Sequence, residues 1–294
     1  MGNDGTAAGG GAQTALSEVG GARFPAEWLA LRESADAAAR ARELVDPLRT
    51  YLARRAPDRL VVRDLGCGTG SMGRWLAGQL SGPQHWILHD RDPDLLDRAV
   101  ASLPDTAADG SPVTAEAARR DVAELRAEDL AGTSLVTASA LLDLLTAKEM
   151  AGLATACVTA GCASLQVLSV LGRVEVTPAD PLDAEITEAF NEHQRRHDDG
   201  RALLGPDALT VATEAFERAG AEVYLAASPW RLGAGQSALT KEWLRGWVGA
   251  ARVRRPDFGS KVDDYLRRRV AECARGELLV TVQHGDLLTL PATR

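Results

Sequence analysis

The chain has 294 residues, 45% of them hydrophobic and 25% charged, with a formal net charge of −8; that is the balance of a globular protein able to bury one sizeable core. An acidic surplus argues against a nucleic-acid partner, whose footprint would be a basic face. No apolar run approaches the ~18 residues of a membrane span, and no basic-then-apolar segment reads as a signal peptide. Cys67, Cys157, Cys162 and Cys273 form no C-x-x-C pair, which suits a reduced cytoplasm, and heavy use of Ala, Gly and Arg with few Lys points to a bacterial source.

Residues 1–22, rich in Gly, Ala, Ser and Thr, read as a disordered tail ahead of a folded unit over 23–294. From Phe24 a helical pattern begins, with Trp28, Arg32, Asp36 and Arg40 at every fourth position. That spacing suits ion pairs along one helix side; a sharper alternative has Arg32 point over a ligand. Next, Leu60 to Leu65 is an apolar run with Asp64 near its end, followed by Gly66, Gly68, Gly70 and the amphipathic stretch from Ser71. Glycine at alternate positions admits positive φ and lets the backbone approach a ligand without a Cβ in the way. The helix that follows presents unpaired N–H groups.

Gly68, Gly70 and Gly73 also spell the dinucleotide fingerprint G-x-G-x-x-G, a weak signal by itself. Asp64 discriminates. A carboxylate there repels a pyrophosphate and attracts an ammonium group, which disfavours a nicotinamide cofactor and favours S-adenosylmethionine. An acid ~20 residues past the loop, at the end of a second strand, is where a ribose diol needs an acceptor, and Asp90 closes Trp86-Ile87-Leu88-His89-Asp90. Asp92 and Pro93 then open a helix as N-cap and first position, with Leu95, Leu96 and Val100 inward.

In this order and spacing the chain resembles the class I, Rossmann-like S-adenosylmethionine-dependent methyltransferases, by motif from Val61 to Leu171 and beyond that by layout. The resemblance implies an α/β fold, a doubly wound seven-stranded sheet with an N-terminal helix and helical lid insertions. It implies that S-adenosyl-L-methionine lies across Asp64, Gly66, Cys67, Gly68 and Gly70. Its ribose would meet Asp90 beside Arg91, its adenine Asp121 and Val122, and its carboxylate Arg32, with Ser139 at the cleft end of a fourth strand. The chemistry implied is in-line displacement at the sulfonium methyl by a nucleophile of a small molecule, an oxygen being preferred. A protein that uses the same cofactor for non-methylating chemistry, or as a non-catalytic subunit, would keep this site and differ in its insertions.

The remaining elements alternate. Leu135 to Ser139 is a strand, Thr146-Ala147-Lys148-Glu149 is a capping box opening a helix that ends near Gly161, and Leu165 to Leu171 is a fifth strand. Gly205-Pro206 leads a helix closing at Gly220; Ala221 to Ala227 and Glu277 to Gln283 are the sixth and seventh strands. Two stretches exceed this minimum, at about 172–204 and 232–275, and insertions on a ligand-binding edge form a lid or, equally, a dimer face.

In the first insertion a helix from Asp180-Pro181 would carry Leu182, Ile186, Phe190, His193 and His197 on one face. The histidines could be hydrogen-bonded core residues, or one could be a general base for a substrate hydroxyl. A His-x-x-x-His metal pair lacks a following Glu and a third ligand. Asp143, after the fourth strand, could orient substrate or hold a divalent ion as in catechol-type O-methyltransferases, or simply be solvated; no metal is expected. Arg195 and Arg196 could meet an acidic substrate or face solvent. In the second insertion Trp243 and Trp247 suit a packed helix, Arg267, Arg268 and Arg269 a solvated face, and Trp230 and Arg231 the mouth of a substrate pocket.

Overall fold

The computed structural model describes residues 24–55, 57–122 and 125–292; the tail expected over residues 1–22 lies outside them. Helices α1 (Ala26–Ala39) and α2 (Val45–Arg55) lead into β1 (Leu60–Leu65), α3 (Ser71–Leu76), β2 (Gln84–Asp90), α4 (Pro93–Ser102) and β3 (Val113–Arg119). Then come β4 (Leu135–Ser139), α5 (Ala147–Ala160), β5 (Ala163–Thr177), α6 (Leu182–Gln194) and the short pair β6 (His197–Asp198) and β7 (Arg201–Ala202). The chain closes with α7 (Ala208–Ala219), β8 (Ala221–Ala227), β9 (Trp230–Leu232), α8 (Ser237–Arg254), α9 (Ser260–Ala274) and β10 (Leu279–Pro291).

Seven strands lie in the order β3-β2-β1-β4-β5-β10-β8, with β9 paired to the far end of β10. Neighbours from β3 to β5 are parallel, and β10 alone runs antiparallel, between β5 and β8. Strand order reverses between β1 and β4, so the crevice at their carboxyl ends is where a ligand binds in such a sheet. β3 escaped the sequence reading because Val113-Thr114-Ala115-Glu116-Ala117-Ala118-Arg119 is an edge strand, exposed at most positions, with little of the β-branched bias that marks a strand.

Local signals explain the helix boundaries. Asp92 accepts from the Asp94 N–H at the start of α4. Thr146 and Glu149 form the reciprocal capping box of α5, which ends at Gly161 in the left-handed conformation. One sheet face packs on α2, α3 and α4 through Leu48, Leu76, Trp86 and Leu96; the other packs on α5 and α7 through Met150, Leu153, Cys157 and Phe216. Adjacent Leu287 and Leu288 of β10 enter opposite cores, as strand alternation requires.

The insertions build a third core. Ile186 of α6, Trp243, Leu244 and Trp247 of α8, and Val262 and Tyr265 of α9 bury against one another and against Trp28 and Leu31 of α1. Trp243 and Trp247 stack at 4.9 Å between ring centroids. Arg269 is not on a solvated face. It is buried and ion-paired to Asp183 at 3.0 Å and Glu272 at 2.8 Å, because α9 turns that side toward α6. No helix among the described residues is long and apolar enough to cross a membrane.

Asp286 in β10 ties these parts together. It is fully buried and accepts from the Ala41 N–H at 2.8 Å, the Leu168 N–H at 2.7 Å and the Ser228 hydroxyl. Leu168 takes a positive φ of 59° within β5, a conformation costly for a side-chain-bearing residue that coincides with this hydrogen bond. Asp286→Ala orphans two buried N–H groups at about 1–3 kcal/mol each. The expected result is a loss of about 3 kcal/mol or more in urea unfolding, with Asp286→Asn, which keeps one acceptor oxygen, losing less.

Candidate active site

A cavity of about 490 Å³ opens at the carboxyl ends of β1, β2 and β4, within the range of small-molecule sites. Its floor is the loop after β1. Asp64 lies opposite Thr137 in the β1–β4 register, and the Thr137 hydroxyl donates to its Oδ1 at 2.8 Å. The second oxygen, Oδ2, is buried with no hydrogen-bond partner. Burial pushes the Asp64 carboxyl up to about 7, against the opposing pull of the Thr137 hydrogen bond and of Arg40.

The loop is held from inside. Asp90 Oδ2 accepts from the Gly68 N–H at 2.9 Å and Oδ1 from the Asp92 N–H at 3.0 Å; each oxygen keeps further acceptor capacity. Gly68 has φ +54°, and a Cβ there would stand 3.0 Å from Leu29 of α1. Gly70 also has positive φ, but it does not line the cavity. It precedes α3, and a Cβ would meet the Ala99 backbone at 3.0 Å, so its role is packing against α4 and not ligand contact. The helix that follows, α3, is only six residues long. Burial and the Asp64 and Asp90 carboxylates hold the Cys67 thiol far above its usual range, so it stays protonated.

Helix α1 roofs the loop. Arg74 of α3 makes a two-point ion pair with Glu33, both contacts 2.7 Å. Arg40, 2% exposed, donates to Ser71 O at 3.2 Å, Ser71 Oγ at 3.0 Å and Ser139 Oγ at 3.3 Å. Arg32 lines the cavity, bonded through Nε to Asp36 at 2.9 Å, with its guanidinium 5.0 Å from the Trp230 ring centroid. Its terminal nitrogens make no hydrogen bond among the described residues. The stripe read as helix-surface ion pairs is thus largely interior, with Asp36 and Arg40 both buried.

Arg32, Asp64, Gly66, Cys67, Gly68, Asp90, Arg91, Asp121, Val122 and Ser139 all line this one cavity, and Arg91 is ion-paired to Asp121. The substrate and proton-handling candidates fare differently. Helix α6 ends at Gln194, so His197 does not continue its stripe; it sits exposed in β6. His193 is buried in the helix, its pKa lowered first by burial and then by Arg196 and Arg254. Neither lines the cavity. Trp230 is buried and donates to Asp36 Oδ1 at 2.9 Å, so it supports the Arg32 partner without forming the mouth, while alternation along β9 turns Arg231 outward.

Asp143 stands in a turn whose neighbours Leu141, Leu144 and Leu145 line the cavity, though it does not itself lie on the wall. Burial raises its carboxyl to about 6, opposed by Arg32 and Arg196. The sequence reading missed the buried role of Arg40, which depends on the docking of α1, the Thr137 hydrogen bond, which depends on the β1–β4 register, and the hairpin β6–β7, which contributes Arg196, Asp198, Arg201 and Leu203 to the wall. The Asp199-Gly200 turn was the available signal. Helices α8 and α9 contribute no lining residue among those described; of the two insertions only this hairpin reaches the cavity.

The sheet order, the single antiparallel strand β10 and the acid–glycine loop at the switch point give the chain the fold of the class I S-adenosylmethionine-dependent methyltransferases. Among solved structures it is similar to a methyltransferase of that cofactor class from Thiobacillus denitrificans, in complex with S-adenosyl-L-homocysteine, at 14% identity, 92% and 99% coverage of the two chains and a TM-score of 0.44. It is similar also to the corresponding Geobacter sulfurreducens complex, at 16% identity, 92% and 99% coverage and a TM-score of 0.42. A third is a cyclopropane synthase from Mycobacterium tuberculosis, at 9% identity, 84% and 83% coverage and a TM-score of 0.43. No protein-family model and no curated protein sequence matches the chain.

Gly68→Ala tests the loop. A left-handed alanine costs about 1–2 kcal/mol and its methyl crowds Leu29, so urea unfolding should show a loss of about that size.

Proposed function

We propose that the chain transfers a methyl group from S-adenosyl-L-methionine to a small-molecule acceptor. The observation that carries this reading is Asp64 Oδ2, a buried carboxylate oxygen without a donor in the cavity wall. A pyrophosphate would worsen that deficit, whereas an ammonium or a water bound to one relieves it. The remaining groups fit the same cofactor. Asp90 has acceptor capacity left for a ribose diol, Asp121 and Val122 flank the far side, and the Arg32 terminal nitrogens can meet a carboxylate.

When bound, the cofactor supplies a methyl group on a positively charged sulfur that is already a good leaving group. What falls to the protein is alignment and exclusion of water, which is worth several kcal/mol. Helix α1 does this from above, and the leucines at 141, 144, 145 and 203 do it from the side. The preference for an oxygen nucleophile rested on the histidines. His193 belongs to α6, which gives the wall no residue, and His197 is exposed on the outer face of β6. Asp143, though off the wall itself, stands in the turn whose leucines form it and feels the charge of the lining residues Arg32 and Arg196, so it is the group we assign to accept the acceptor's proton. Its carboxyl near 6 is ionised at neutral pH and still basic enough to serve.

Titration calorimetry with S-adenosylmethionine, S-adenosylhomocysteine and NAD tests the cofactor. The two sulfur compounds should bind at micromolar concentrations, Asp90→Ala should abolish this, and binding of NAD alone would overturn the reading. The pH dependence has a definite sign. A cationic ligand prefers ionised Asp64, which in the empty site takes up a proton as the pH falls through about 7, so binding at lower pH must expel that proton. Affinity should therefore fall by up to about tenfold per pH unit below 7, and Asp64→Asn should flatten the profile.

Asp143→Asn should lower turnover by about 100-fold with cofactor affinity unchanged. Wild-type turnover should decline as the pH falls through about 6, as required of a group that must be deprotonated; an unaltered rate in the variant would remove Asp143 from the reaction.

A further inference from the structure

The β6–β7 hairpin closes the end of the cavity nearest the leucine wall, and its geometry sorts its side chains. Asp199 and Gly200 both take positive φ, 47° and 78°, the two-residue turn that matches strand twist. Asp198 faces Arg201 and His197 faces Ala202 across the ladder, and the Leu203 N–H donates to Arg196 O at 3.2 Å. Side chains alternate between faces, so Arg196, Asp198, Arg201 and Leu203 share one face, and all four line the cavity.

These charges do not satisfy one another. Arg201 is spent on Glu149, at 2.7 Å and 3.0 Å, and on Leu144 O. Arg196 makes no ion pair among the described residues, only a 3.5 Å contact to His193 O. Asp143 feels its field but stands beyond ion-pair distance. Asp198 Oδ1 is buried and has no hydrogen-bond partner. An unpaired guanidinium thus lies two residues from a carboxylate oxygen lacking a donor, on the same wall.

We propose that Arg196 and Asp198 form the acceptor-binding end of the cavity, and that the acceptor is a small carboxylate carrying a neighbouring N–H or O–H donor. The guanidinium takes the acceptor's carboxylate, a two-point match for its planar fork, and Asp198 Oδ1 accepts from the adjacent donor. An uncharged acceptor would leave the guanidinium and the buried Asp198 Oδ1 both unmet, which is how such a site rejects a close analogue. This rests on the methyltransferase reading, since it assigns the glycine-loop end of the same cavity to the cofactor.

The test uses the full chain saturated with S-adenosylhomocysteine and four aromatic probes suited to the leucine wall. 2-Hydroxybenzoate carries both groups, benzoate only the anion, phenol only the donor, and 2-aminobenzoate replaces the hydroxyl by an amine. Calorimetry should show 2-hydroxybenzoate or 2-aminobenzoate binding at least tenfold more tightly than phenol. Arg196→Gln should erase that advantage, Arg196→Lys should keep part of it, and Asp198→Ala should erase the preference over benzoate, all without change in S-adenosylhomocysteine affinity. Cofactor binding with phenol held as tightly as the carboxylates, or with no probe held at all, would overturn the proposal and leave the methyltransferase reading standing. Failure of S-adenosylhomocysteine itself to bind would overturn that reading, and this proposal with it.

Discussion

A guanidinium buried beneath the first helix is the constraint around which the structure is arranged. Arg40 is 2% exposed, and its neighbouring charges are Asp36, Asp64 and Asp286, themselves 4%, 1% and 0% exposed. A charge removed from water has to be met by opposite charge and hydrogen bonds, and here the partners come from five parts of the chain. Asp36 lies one turn back in α1, Asp64 sits near the end of β1, Asp286 sits in β10, and Ser71 and Ser139 supply hydroxyls from the start of α3 and from β4. Meeting Arg40 with these partners ties the helix to the sheet. That tie puts α1 over the glycine loop.

The cluster does not balance within itself. Arg32 adds a second positive charge through its pair with Asp36, yet three carboxylates remain against two guanidinia, and burial raises the carboxyls of Asp64 and Asp286. The residual deficit is greatest at Asp64, which has only Thr137 as donor. A site poised in this way is completed by a cation, and its protonation state near neutral pH becomes part of the binding equilibrium.

The insertions serve this arrangement at a distance. Their helices bury large aromatic side chains in a core shared with Trp28 and Leu31 on α1, so the roof of the cavity is anchored on one side by charge and on the other by apolar packing. Among the described residues, the inserted segment that reaches the cavity does so as a hairpin. Period-two alternation there turns one set of charges inward and leaves His197 and Ala202 exposed. The cavity consequently has two chemically distinct ends, an acidic one at Asp64 and Asp90 and one where Arg196 and Asp198 stand unpaired.

How much of this was legible beforehand follows from the range of the interactions. Asp92, the Thr146–Glu149 box, the glycines at 66 and 68, and Gly161 act on backbone within a few residues, so the sequence by itself determined the strand–loop–helix at the switch point, most helix boundaries and most of the residues that line the glycine-loop end of the cavity. β3 was hidden because an exposed edge strand needs little hydrophobic patterning. The extension of a helical period to His197 failed because α6 stops at Gln194 and a left-handed Asp-Gly turn reverses the chain. Only the tertiary structure decided that Arg40 is a buried counter-charge, that Trp230 holds Asp36 in place, and that Arg196 and Asp198 share a wall. Each of those depends on partners brought together by sheet register and helix docking, contacts that no local pattern of residues encodes.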